Sequence, residues 1–379
     1  MAPTKRVFVL EANNFPRGSA NANYIQYLSL ALKDDECNVI VGGNEKNIST
    51  YRNGFIKDIE YCNVPWKKKY ITSFNYSLLK TLNKKYIFSE NDYFVLYSID
   101  YLTIKWLLKK VDISHICVCQ VEDMQPFQFE FGKFNPKVQY LKLSAKFIRN
   151  KKIKLLPISS FIAKQYPSNP VLILPIMADT SEYTFIEKGL DKENINFIYP
   201  GLKKSNDEDD MELVLKSLRK LSDEKLKRIK LHITGAKREE FLARYKVKKE
   251  IEEILEIHGW MEYEELVKLY EHMDYLLLIR KINNVTRANF PSKIPELMAF
   301  GVIPVCTKVG DYTEYYLTND KDSIFASEEG VQDCYNAINK AINLDKDVYA
   351  IMRLNARKLV ENKFDYKIWQ KKIKKFIFE

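Results

Sequence analysis

Short apolar runs alternate with amphipathic helices along this chain of 379 residues, and the alternation stops and then restarts. No other feature narrows the fold as far. Residues 5–11, 38–41, 93–97, 115–119 and 153–156 read as strands, with helices over 19–32, 75–85, 101–110 and 137–149. The apolar run 171–174 reads as a last strand before Pro175. Beyond an irregular stretch the series begins again. Strands at 196–199, 229–234, 275–279 and 302–306 alternate with helices at 209–221, 262–272 and 292–300. Two helical segments, 346–362 and 366–378, close the chain. Parallel neighbours need long right-handed crossovers, so this pattern predicts parallel sheets. A restarted series predicts two of them: an α/β protein with one domain over 1–180 and a second over 195–355. Ligands of such sheets bind beyond the carboxyl ends of the strands.

Composition removes several classes. Hydrophobic residues make up 46% and charged residues 29%, too apolar for a disordered chain. No run approaches the ~20 apolar residues of a membrane span, and the first ten residues lack a signal-peptide pattern. Six cysteines form no CxxC pair and four histidines form no HxxxH or HxH spacing, so no metal site is expected. A reducing cytoplasm fits. Residues 1–180 hold 25 Lys+Arg against 15 Asp+Glu, whereas 181–379 hold 35 of each. Clusters such as Lys67-Lys68-Lys69 in the first half suit an anionic partner, a membrane surface or nucleic acid; a plainly solvated surface is the alternative. Trp66 beside them suits an interfacial anchor or an ordinary half-buried site. No nucleic-acid-binding motif is present.

The stretch 276–316 carries the most chemistry. A buried strand delivers Arg280 to its carboxyl end, and a polar loop with Arg287 follows. Pro291 then opens a helix with Ser292 near its N-cap and Lys293 beside it. Cations around a helix N-terminus suit a diphosphate. Glu296, one turn on, is an acceptor placed for a pair of hydroxyls such as a ribose.

In this order the residues resemble the nucleotide-binding half of GT-B glycosyltransferases, in particular the large retaining group called family four. Arg280, Pro291-Ser292-Lys293 and Glu296-Leu297-Met298-Ala299-Phe300-Gly301 are similar to that family's strand-end Arg, Pro-Ser/Thr-Lys and Glu-x-x-Ala-x-Gly elements. Tyr199-Pro200-Gly201 followed by Lys203-Lys204 resembles its glycine loop with a phosphate cation. Thr234-Gly235 and Gly259-Trp260 stand where the family has loops near the sugar nucleotide and base. Ala288 departs from the pattern, because many members carry a glutamate there.

The resemblance implies two Rossmann-like domains facing across a cleft, with residues 356–379 returning to the first. It implies transfer of a sugar from a nucleoside diphosphate sugar, UDP favoured, to a hydroxyl with retention, without a metal or other cofactor. No DxD run is read in a loop suited to metal binding. Gly18 and Ser19 match the family's acceptor loop, and Glu122, with Asp123 second, stands at the end of a middle strand where an acceptor-side group is expected. A glycan or lipid-linked acceptor follows, with peripheral docking on the inner face of a membrane. Non-catalytic binding of sugar nucleotides or glycans, nucleic-acid binding and epimerisation stay open as other readings.

Overall fold

The computed structural model describes residues 5–16, 20–66, 74–120, 132, 134–202, 208–326 and 330–379, and only the backbone of 11–14. Contacts divide the chain into two units, one of residues 1–177, 288–290 and 366–379, the other of 178–287 and 291–365.

In the first unit seven described strands form one sheet. They are β1 (Lys5–Asn14), β2 (Cys37–Glu45), β3 (Arg52–Ile56), β4 (Ile59–Pro65), β5 (Tyr93–Leu96), β6 (Ile116–Gln120) and β7 (Lys154–Pro157). Their order is β3-β4-β2-β1-β5-β6-β7, and every pair except β3–β4 is parallel. Val7, Phe8 and Val9 are fully buried, as central strands covered on both faces require. The order reverses between β1 and β5, the point where a doubly wound sheet opens a crevice.

The second unit repeats the plan with β8 (Ile195–Tyr199), β9 (Ile229–Thr234), β10 (Leu255–Gly259), β11 (Tyr275–Leu278), β12 (Ile303–Thr307) and β13 (Ile324–Ala326). These six run parallel in the order β10-β9-β8-β11-β12-β13. Here the reversal falls between β8 and β11. One core of Phe197, Leu231, Tyr275, Val305 and their neighbours fills the unit. Among the described residues no helix is long and apolar enough to cross a membrane.

The helix Tyr366–Phe378 belongs to the first unit. It packs along the helix Ala20–Leu32, with Tyr366 stacked on Tyr27 at 6.4 Å between ring centres. Phe378 meets Tyr93, and Lys154 donates from Nζ to the Ile377 carbonyl at 2.9 Å.

Two local expectations change. The hairpin β3–β4 was hidden because its turn uses Lys57 and Asp58, with φ of 46° and 62°, in place of the glycine-containing pairs that announce such turns. Residues 171–174 form no strand but a single bridge from Val171 to Leu155. Pro170 and Pro175 flank this segment and supply no N–H to extend a ladder.

Ile373, fully buried on the terminal helix, anchors it in the first unit. Ile373→Ala is expected to lower that unit's stability by roughly 2–4 kcal/mol, read as a shifted urea midpoint.

Candidate active site

The site begins where the second sheet reverses. β8 ends at Tyr199, and Pro200 leads to Gly201, whose N–H donates to Thr234 Oγ1 at 2.9 Å. The next N–H, of Leu202, donates to the Thr234 carbonyl at 2.8 Å. The loop after β8 is thereby tied to the end of β9. Gly235 follows with φ +85°, and a Cβ there would lie 2.9 Å from Gly201 Cα. Only glycine allows both the left-handed backbone and this approach. The Gly235 N–H donates to the Gly259 carbonyl at 2.6 Å, which brings the end of β10 to the same rim.

Lys293 reaches this rim from the helix Lys293–Met298. Its Nζ lies 3.4 Å from where a Cβ on Gly201 would stand. Gly201, Gly235 and Lys293 are therefore one cluster at the carboxyl ends of β8 and β9. The helix is six residues long, shorter than expected, and Ser292 caps it with no side-chain bond. Lys293, as a point charge, outweighs any dipole so short a helix offers. Glu296, one turn along, is half-buried by surface area. Its carboxyl is nevertheless enclosed enough that desolvation pushes its pKa up to about 7, with Lys293 pulling it down.

Arg280 requires a correction. It was expected to hold phosphate, yet its side chain is 2% exposed and lies between two carboxylates. Nη2 donates to Glu208 at 2.5 Å and Nε to Asp209 at 3.2 Å. A guanidinium so enclosed is not placed to receive a diphosphate. Arg287 is exposed on the short helix Asn284–Ala288, and no described contact joins it to Lys293. Trp260, after Gly259, is 87% exposed and leaves a ring face open at the end of β10. Gly18, Ser19, Glu122, Asp123, Lys203 and Lys204 lie outside the described residues.

Sequence reasoning passed over Thr234 as a partner of the glycine loop and over Glu208 and Asp209 as partners of Arg280. The signal for the latter was the acidic run 207–210. Asp207-Glu208-Asp209 even has the DxD spacing, but Glu208 and Asp209 are committed to Arg280, and Asp210 caps the helix Met211–Leu218 through Leu213 N–H. Among the described residues no group of three or more His, Cys, Asp or Glu could hold a metal ion.

A doubly wound unit with glycine turns and a lysine at its switch point is the mark of a nucleotide-binding domain. Residues 186–359 match the family described as glycosyl transferases group 1, and the second unit is a domain of that family. The whole chain has the GT-B fold of glycosyltransferases, two Rossmann-like α/β domains. A sucrose-phosphate synthase from Thermosynechococcus elongatus is similar with a TM-score of 0.73 at 10% identity, covering 98% of both chains. WaaG, a glycosyltransferase involved in lipopolysaccharide biosynthesis, is similar with a TM-score of 0.67 at 14% identity, covering 98% of this chain and 99% of its own. HepE from Anabaena, solved with UDP and glucose, is similar with a TM-score of 0.66 at 13% identity over 98% and 99%. No curated protein sequence matches the chain.

If Glu296 receives ribose hydroxyls, its ionised form is the binding form. With a pKa of about 7, UDP affinity is expected to rise up to about tenfold between about pH 6 and about pH 8. The phosphate of UDP titrates too, so Glu296→Gln is the control. Calorimetry across that range should show the additional rise in the wild type alone, and equal profiles would remove Glu296 from the site.

Proposed function

We propose that the protein transfers a sugar from a nucleoside diphosphate sugar, UDP favoured, to a hydroxyl acceptor, with retention. The observation that carries this is the convergence of Gly201, Gly235 and Lys293 at the switch point of a group 1 domain, with Glu296 one turn on. The barrier lies in the departure of the diphosphate. Lys293, close against glycine backbone that leaves room for phosphate oxygens, stabilises the charge that develops there. Lys203 and Lys204, in the loop that Gly201 opens, are the further cations of this reading, and Arg287 a more distant one. Together they meet the need that a metal ion would otherwise fill. Trp260 offers a stacking face to the base. Glu122 and Asp123 serve the acceptor side with Gly18 and Ser19. HepE's complex with UDP and glucose supports UDP as the donor nucleotide.

Ala288 favours a second reading, a non-catalytic sugar-nucleotide-binding subunit. Its small side chain is buried and its carbonyl accepts from Ser159 Oγ at 2.7 Å, so no carboxylate occupies that position. Incubation with UDP-, GDP-, ADP- and dTDP-sugars, with melting temperature and nucleotide release both measured, separates the two. The transferase reading expects a rise in melting temperature with the UDP-sugar and release of UDP. Lys293→Ala should lower that release by roughly 10²-fold with the fold intact. Binding without release would support the second reading, and no shift with any of the four would contradict both.

The acceptor reading extends to a lipid-linked glycan on an anionic membrane. Lys371, Lys372 and Lys375 are exposed on the terminal helix, and exposed Trp66 has Lys46 5.5 Å from its ring centre. Each basic side chain near such a surface contributes about 1 kcal/mol, so a few give reversible docking. Flotation is expected with anionic but not neutral vesicles, weakened by salt and by reversing Lys371, Lys372 and Lys375 to Glu. Equal, negligible flotation on both would remove the membrane and leave the donor reading standing.

A further inference from the structure

Arg280 is a large cation buried at the switch point without contacting the glycine–lysine cluster, and the chemistry above does not use it. Its surroundings are specific. The backbone of 208–210 runs antiparallel beside it, through an Asp209–Arg280 bridge. Asp210 N–H donates to the Ile279 carbonyl at 2.9 Å, and Lys281 N–H to the Glu208 carbonyl at 2.9 Å. The Glu208 and Asp209 carboxylates close on the guanidinium, while the Arg280 N–H is fixed by Thr307 Oγ1 at 3.0 Å on β12. Glu208 and Asp209 form the far end of the loop that begins at Gly201. Its near end is held by Thr234. The loop is thus clamped at both ends, by a threonine on β9 and by a buried ion-pair cluster at the end of β11.

We propose that Arg280 is a positioning residue that holds the loop 201–209 so that its cations and Gly201 face the donor diphosphate. The assignment rests on the donor reading above. A diphosphate ligand at Arg280 would have to displace two carboxylates from a guanidinium already closed to solvent, whereas a pin needs only the contacts that are present. Arg280 Nη1 has no hydrogen-bond partner among the described residues, so the two carboxylates do most of the pairing. Removing them leaves a buried charge poorly compensated and releases the far end of the loop.

The test uses UDP and UMP as probes with the full chain. In the variant carrying Glu208→Gln and Asp209→Asn, UDP affinity is expected to fall about tenfold or more while UMP affinity changes less than about twofold. Arg280→Ala should do the same, and Arg280→Lys should recover part of the loss. Without nucleotide, amide exchange over 201–210 should quicken by about tenfold in these variants, with β11 and β12 unchanged. A guanidinium that binds phosphate directly would instead be freed by loss of its carboxylates, so UDP affinity unchanged or tighter in the double variant overturns the proposal. Unchanged exchange over 201–210 overturns it equally. Should the double variant not fold, Glu208→Gln alone, at a side chain 18% exposed, carries the same expectations. Wild-type protein that binds neither nucleotide would overturn the donor reading, while the exchange arm still decides whether Arg280 pins the loop.

Discussion

The approach of Gly235 to Gly201 sets the geometry of the second unit's open edge. Two strand ends meet there backbone to backbone, with a left-handed turn at each glycine. Any side chain at Gly235 would enter the Gly201 backbone, and the loop after β8 would have to move away from β9. Because the glycines take so little room, the Lys293 ammonium comes close to Gly201, and backbone and cation share one small volume. A charge held against bare backbone, already oriented before any ligand arrives, needs little reorganisation when charge develops beside it.

A second layer keeps that arrangement in place. Thr234 bonds both N–H groups at the start of the loop, and Arg280 meets two carboxylates at its end. Asp274, at the amino end of β11, ties that strand to β8 through Asn196 N–H at 2.8 Å and to the helix Lys346–Leu359 through Tyr349 at 2.5 Å. From the same helix, buried Arg353 donates to the Phe300 carbonyl at 2.9 Å, at the C-terminal end of the segment that carries Lys293 and Glu296. Each partner is a buried polar group paired within the unit, so the rim rests on directional contacts as well as on the apolar core.

Much of this was legible in the sequence, for identifiable reasons. The strands of both sheets are continuous apolar runs, and burial on both faces of a parallel sheet demands such runs. The glycines and Lys293 stand at strand–helix junctions, where backbone chemistry leaves a local signature. Arg280 was legible as a strand-end cation but not in its role, because ion pairing with Glu208 and Asp209 depends on contacts about seventy residues apart. Edge strands escaped notice where burial is partial or the strand is brief, as in β10 and β13. The hairpin β3–β4 escaped because Lys57 and Asp58 adopt a turn usually signalled by glycine.

The account therefore places one nucleoside diphosphate at one rim, with the phosphates against Gly201, Gly235 and Lys293 and the ribose toward Glu296. A crystal structure of the protein grown with UDP measures that placement most directly. The account predicts phosphate oxygens within hydrogen-bond distance of Lys293 Nζ and of the backbone at Gly201 or Gly235, with Arg280 still paired to Glu208 and Asp209. UDP bound away from the carboxyl ends of β8 and β9, or a diphosphate seated on Arg280 with both carboxylates displaced, would contradict it.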